Sequence, residues 1–86
     1  MTELDRTQKL VAYALGTFDD LRAEGLLELE PLRPGARKLY EKIKAEFDPD
    51  VDELLDVVEH LVLQGQAPEH EDLSGLVEAH WTRGAP

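Results

Sequence analysis

Three histidines, a single serine and nineteen carboxylates are the side chains of this 86-residue chain that could do chemistry, since cysteine is absent. His60, His70 and His80 invite a metal reading because acids surround two of them. Their positions speak against it. His60 projects to the outside of a helical segment with Asp56 one turn earlier, His70 lies in an acidic helix start, and His80 falls in an apolar stripe. A di-metal bundle needs paired Glu-x-x-His motifs on facing helices, and the sequence contains neither that motif nor HExxH. Ser74 sits beside Gly75 inside a helical pattern, with no preceding strand to form a nucleophile elbow. The glycines form no GxGxxG and no phosphate loop. Carboxylates on exposed helical faces ordinarily solvate the protein, and no cleft is legible that would set one pKa against another. The expectation is therefore a chain with no catalytic residues, no cofactor, no metal and no enzymatic activity.

Charge is more informative in its distribution than in its total of -10. Residues 1 to 24 hold five acids and three bases, residues 25 to 47 four acids and five bases, and residues 48 to 86 ten acids against Arg83 alone. Such a balance opposes sequence-independent contact with nucleic acid or anionic membrane, both of which need clustered lysine and arginine. Asp52, Asp56 and Glu59 recur at i, i+4 and i+7, a carboxylate row with about 6 Å between turns. A row of this kind either solvates a helix or imitates a phosphate backbone. Arg33, Arg37, Lys38, Lys42 and Lys44 are expected to face solvent or the acidic third helix, where screened pairs add little stability.

The elements that must carry these side chains are helical. Leu4, Val11, Ala14, Leu15, Phe18 and Leu21 recur at helical spacing and predict a helix over about residues 2–24, stopped by Gly25 and Leu26 in a Schellman turn. Gly16 is placed on the outer face of that helix, where glycine costs about 1 kcal/mol relative to alanine; close approach of another backbone beside Ala12 is the alternative. Residues 26–33 read as an extended, leucine-rich connector whose leucines cap the core, or as a strand pairing with its own copy in a dimer. Pro34 opens a second helix over 34–47 with Ala36, Leu39, Tyr40, Ile43 and Phe47 on one face. Asp48 and Pro49 break the chain, and Asp50 with Glu53 has capping-box spacing at the start of a third helix over 50–64, stopped by Gly65. A fourth helix is expected over 68–82, opening on Pro68 and a cluster of acids, with residues 83–86 frayed. LELEPLRPGARKLYEKI resembles the wing strand and following helix of winged-helix regulators. The resemblance covers under a quarter of the chain, and too few residues precede it for the helices that should include a recognition helix.

Four amphipathic helices on short connectors imply one all-α domain spanning residues 1–86, a compact bundle or orthogonal array. A small core leaves stability marginal unless a partner subunit adds burial. Leu27, Leu29, Val57, Leu63 and Trp81 are surplus to the core faces and form the expected apolar partner-binding patch, beside the acidic face of Asp52, Asp56 and Glu59. No segment has signal-peptide character, and none approaches the roughly 20 apolar residues of a membrane span, so a cytoplasmic location is expected. The function expected is an acidic protein-interaction module that associates with its own copy as a homodimer and makes no direct contact with nucleic acid or membrane. The alternative is an inhibitor that mimics nucleic acid in the cleft of a basic DNA- or RNA-binding protein.

Overall fold

Local hydrogen bonding fixes where each helix begins and ends in the computed structural model, which describes residues 5–47 and 49–84. Helix α1 spans Arg6–Ala23, α2 Pro34–Glu46, α3 Val51–Leu63 and α4 Leu73–Gly84; no strand occurs among the described residues. The chain is therefore all-α. Residues 2–4, where the first helix was expected to start, lie outside the described residues, as do Asp48 and residues 85–86.

Asp5 caps α1 with a reciprocal box. The Gln8 N–H donates to Asp5 Oδ1 at 2.8 Å and the Asp5 N–H donates to Gln8 Oε1 at 3.0 Å. Both expected glycine stops form as Schellman turns. Gly25 has φ +80°, Leu26 N–H donates to the Leu21 carbonyl and Gly25 N–H to that of Arg22. Gly65 has φ +72°, with the Gln66 and Gly65 N–H groups donating to Leu61 and Val62. The box expected from Asp50 and Glu53 does not form. Asp50 is the N-cap of α3 without a side-chain bond, and the Glu53 carboxylate, which would supply the reciprocal arm, is taken by the Arg6 guanidinium. A charge-assisted pair of this kind is stronger than a bond to a neutral amide.

The start of α4 also differs from the expected Pro68. Residues 67–70 are non-helical, and the first intrahelical bond runs from Leu76 N–H to the Asp72 carbonyl, which makes Asp72 the N-cap. Proline's fixed φ and missing N–H permit a helix start at residue 68 but do not impose one. At the other end α4 runs to Gly84.

Helix α1 is central. It packs against α2, α3 and α4, and α3 packs against α4, while the α2 backbone packs against no helix but α1. The main core joins Ala14, Phe18 and Leu21 of α1 to Leu54, Val58 and Leu61 of α3 and Leu73 and Val77 of α4, with Leu27 closing it from the connector. On the opposite side of α1, Tyr40 and Ile43 of α2 are buried. Burial on two sides explains why Gly16 is not on a solvent face. The Tyr40 ring lies on it so closely that an added Cβ would come within 2.0 Å of Tyr40 Cγ. Tyr13 meets the same ring edge-on at 5.8 Å. The close approach is thus made by an aromatic ring rather than by a backbone.

Candidate interaction surface

The densest gathering of chemistry-bearing groups sits where the C-terminal half of α1 meets α2 and α4. Asp19 Oδ1 accepts from Arg22 Nε at 3.0 Å and from the Leu32 N–H at 3.2 Å, while Arg37 reaches Asp19 Oδ2 at 3.1 Å. Asp20 Oδ1 takes a 2.6 Å bond from the same guanidinium, and Asp20 Oδ2 accepts the Tyr40 hydroxyl at 2.9 Å with His80 Nε2 at 3.3 Å. Arg37 therefore pairs with α1 rather than α3, whose backbone does not pack against α2, while part of its side chain stays open to solvent. Burial alone would raise the Asp19 carboxyl. The Arg22 and Leu32 hydrogen bonds and the charges of Arg22 and Arg37 outweigh burial and hold it below the ordinary 3.8. The hydrogen bond and charge of Asp20 raise Arg37 further above its usual range. Burial, then Asp20, push the Tyr40 hydroxyl well above 10, so it remains a donor at neutral pH.

These bonds satisfy the groups they join, and the two surface hollows described below are lined by none of them. The cluster therefore acts as a structural clamp. Its signal in the sequence was the pair Asp19-Asp20 at the end of one helix and Arg37-x-x-Tyr40 on the next, spacings that meet only once the helices are known to be adjacent.

The other histidines are scattered. His60 is exposed with Nδ1 3.2 Å from the Asp56 carbonyl, and His70 accepts the Asp72 N–H at 3.0 Å. Ser74 is an exposed residue in the first turn of α4. Among the described residues no group of three histidines or acids is arranged to hold a metal ion.

The five surplus apolar residues differ widely in exposure. Leu27 is 5% exposed and belongs to the core. Leu29, Val57 and Trp81 are half-buried against it. Leu63 alone stands open at 78% exposure, next to Val62 at 51%. Val62 lines the hollow beside the 65–71 connector and is not covered by it. Asp52, Asp56 and Glu59 are exposed on the outer face of α3 as expected from their spacing. Leu63, about three turns beyond Asp52, shares that face.

Two hollows flank α3. A groove of about 380 Å³ runs between α1 and α3, with Leu10, Val11, Val57 and Leu61 as its floor and Thr7, Glu53, Asp56, His60 and Gln64 as its rim. A wider one of about 670 Å³ lies at the end of α3, between Val62 and the 65–71 connector, where Ala67 and Pro68 meet Glu69, His70 and Glu71. Both combine an apolar lining with acids. No helix of the described residues is long and apolar enough to cross a membrane. Comparison with protein-family models, with curated proteins and with solved structures finds no match to the chain.

Proposed function

We propose that the protein is a non-catalytic interaction module whose docking face is the outer side of α3, and that its partner is a protein surface carrying basic residues around an apolar spot. The observation that carries this reading is the composition of one uncovered face: Asp52, Asp56 and Glu59 followed by Leu63 at 78% exposure. Apolar side chains this open at the end of a charged row suit a mixed protein interface, with a desolvated centre and a polar rim. They suit nucleic-acid mimicry less well, since a leucine stands where a phosphate-like row needs its next charge. Site-specific photocrosslinking tests the face. A photoreactive phenylalanine analogue at position 63 or 59 is expected to trap a basic protein in the native cell, and the same group at position 38 on α2 is not. Equal trapping from both helices rejects α3 as the docking face.

Self-association is a second reading, supported by Val62 and Leu63, which lie side by side and uncovered. Ten acids in residues 48 to 86 work against it, because a symmetric contact through α3 brings like charges together. Sedimentation equilibrium in low and high salt distinguishes the cases. A dimer built on these residues strengthens with salt and is lost in Leu63→Ser; a monomer at high micromolar concentration in both salts excludes it.

A further inference from the structure

We infer that the groove between α1 and α3 is a receptor for a basic amphipathic helix of another protein, an inference that rests on the reading of α3 as the docking element. Shape comes first. The α3 residues that line the groove are Glu53, Asp56, Val57, His60, Leu61 and Gln64, which recur at three- and four-residue intervals. On the α3 side the lining follows the helix over about 16 Å, the length of three turns, and on the α1 side Thr7, Leu10 and Val11 line about one turn. A lining that runs three turns along α3 and is walled by α1 over one of them matches a helix laid along α3 with anchors at i, i+3 or i+4, and i+7, rather than a compact ligand.

The floor is closed and apolar. Leu10 is 8% exposed and Leu61 3%, so these side chains already belong to the interior, while Val11 and Val57 are half-buried above them. An incoming apolar side chain would cover Val11 and Val57 without opening the core. This assigns Val57 a use beyond its packing against the core.

Charge then selects the occupant. Glu53 and Asp56 stand on the rim, Asp52 and Glu59 continue the acidic surface outward, and among the described residues no lysine or arginine lines the groove. The nearby guanidinium of Arg6 is held by Glu53 and lies over the Phe47 ring at 5.1 Å, which fixes it at one end. A helix with lysine or arginine flanking its apolar stripe places those charges beside Asp56 and the outer row. A neutral helix gains no charge attraction there, and an acidic one is disfavoured by like charge.

The test titrates isotope-labelled protein with a synthetic leucine–lysine helix about four turns long. One control has the same composition with leucine and lysine interspersed so that no apolar face forms, and a second has glutamate in place of lysine. The inference expects saturable binding by the segregated basic peptide at least about tenfold tighter than either control. The largest amide shifts should fall at Thr7, Val11, Val57 and Gln64. Asp56→Lys and Gln64→Trp alter exposed rim positions, so folding is expected to survive, and each should weaken binding about tenfold. Equal binding by the interspersed peptide reduces the effect to bulk charge and overturns the inference. Shifts confined to Glu59, Val62 and Leu63 overturn it too, yet leave the outer face of α3 as the docking site. Absence of binding rejects the groove, and the crosslinking experiment then decides separately whether α3 docks a partner at all.

Discussion

Asp20 joins two helices whose backbones do not pack together: its carboxylate accepts from Tyr40 and Arg37 of α2 and lies 3.3 Å from His80 of α4. At 17% side-chain exposure it is largely removed from water, so its partners cannot be replaced by solvent at no cost. Asp20→Asn keeps the shape but turns an amide N–H₂ toward donors. It is expected to lower stability by about 2–3 kcal/mol in a denaturant titration. Asp19 gives the pH dependence. Its carboxyl is depressed in the folded state, so its contribution is complete above the unfolded value near 3.8 and is lost as pH falls through the lower folded value. Asp19→Asn should therefore flatten the acid limb of the stability–pH curve below about pH 4, and an unchanged limb would remove Asp19 from the account. Gly16 is the third residue of consequence. A Cβ there meets the buried Tyr40 ring at 2.0 Å, too close for a rotamer change to relieve. Gly16→Ala, which raises helix propensity, is nevertheless expected to destabilise by about 2 kcal/mol or more, because overpacking outweighs the propensity gain.

Among the elements, α2 stands apart because α1 is its sole helical neighbour. Its anchorage includes Tyr40 over Gly16, the buried Ile43, and the bonds of Arg37 and Tyr40 to the paired aspartates. Regions with few packed neighbours open at lower free energy than the core. Amide hydrogen exchange should accordingly be faster across α2 than across α1 and α3, and Arg37→Ala should widen that difference while leaving α3 unchanged. Uniform protection over all four helices would show that α2 opens only with the whole fold. The helix stops make a separate prediction. Gly65 occupies the left-handed region at φ +72° with open space around it, so Gly65→Ala strains the backbone without any clash. A loss of about 1 kcal/mol is expected, measurable as a lowered melting temperature.

At the scale of the molecule, charge and topology together decide which face is available. The acid-rich residues 48 to 86 supply α3, α4 and the connector between them, whereas the basic residues of 25 to 47 sit mainly on α2, across α1 from α3. The two charge surfaces are thus separated by the central helix instead of neutralising each other. Docking of a basic partner on α3 should therefore weaken steeply between low and physiological salt, with the change mainly in association rate, and salt-insensitive binding would count against the acidic face. The four helices, their glycine stops and the acidic row of α3 were legible in the sequence, because 3.6-residue periodicity, left-handed glycine and helical spacing are local properties. Local signals failed where two choices were locally equivalent. Proline at 68 and aspartate at 72 both suit a helix start, and Glu53 was free to cap α3 until Arg6 of another helix claimed it. Which apolar residues are surplus was not a local property at all. Leu27 and Leu63 look alike in sequence, and only the packing of the connector onto α1 and α3 buries the first and leaves the second exposed. The groove between α1 and α3 belongs to the same class. Its floor and rim come from residues more than forty positions apart, so it exists only once the crossing of the two helices is set.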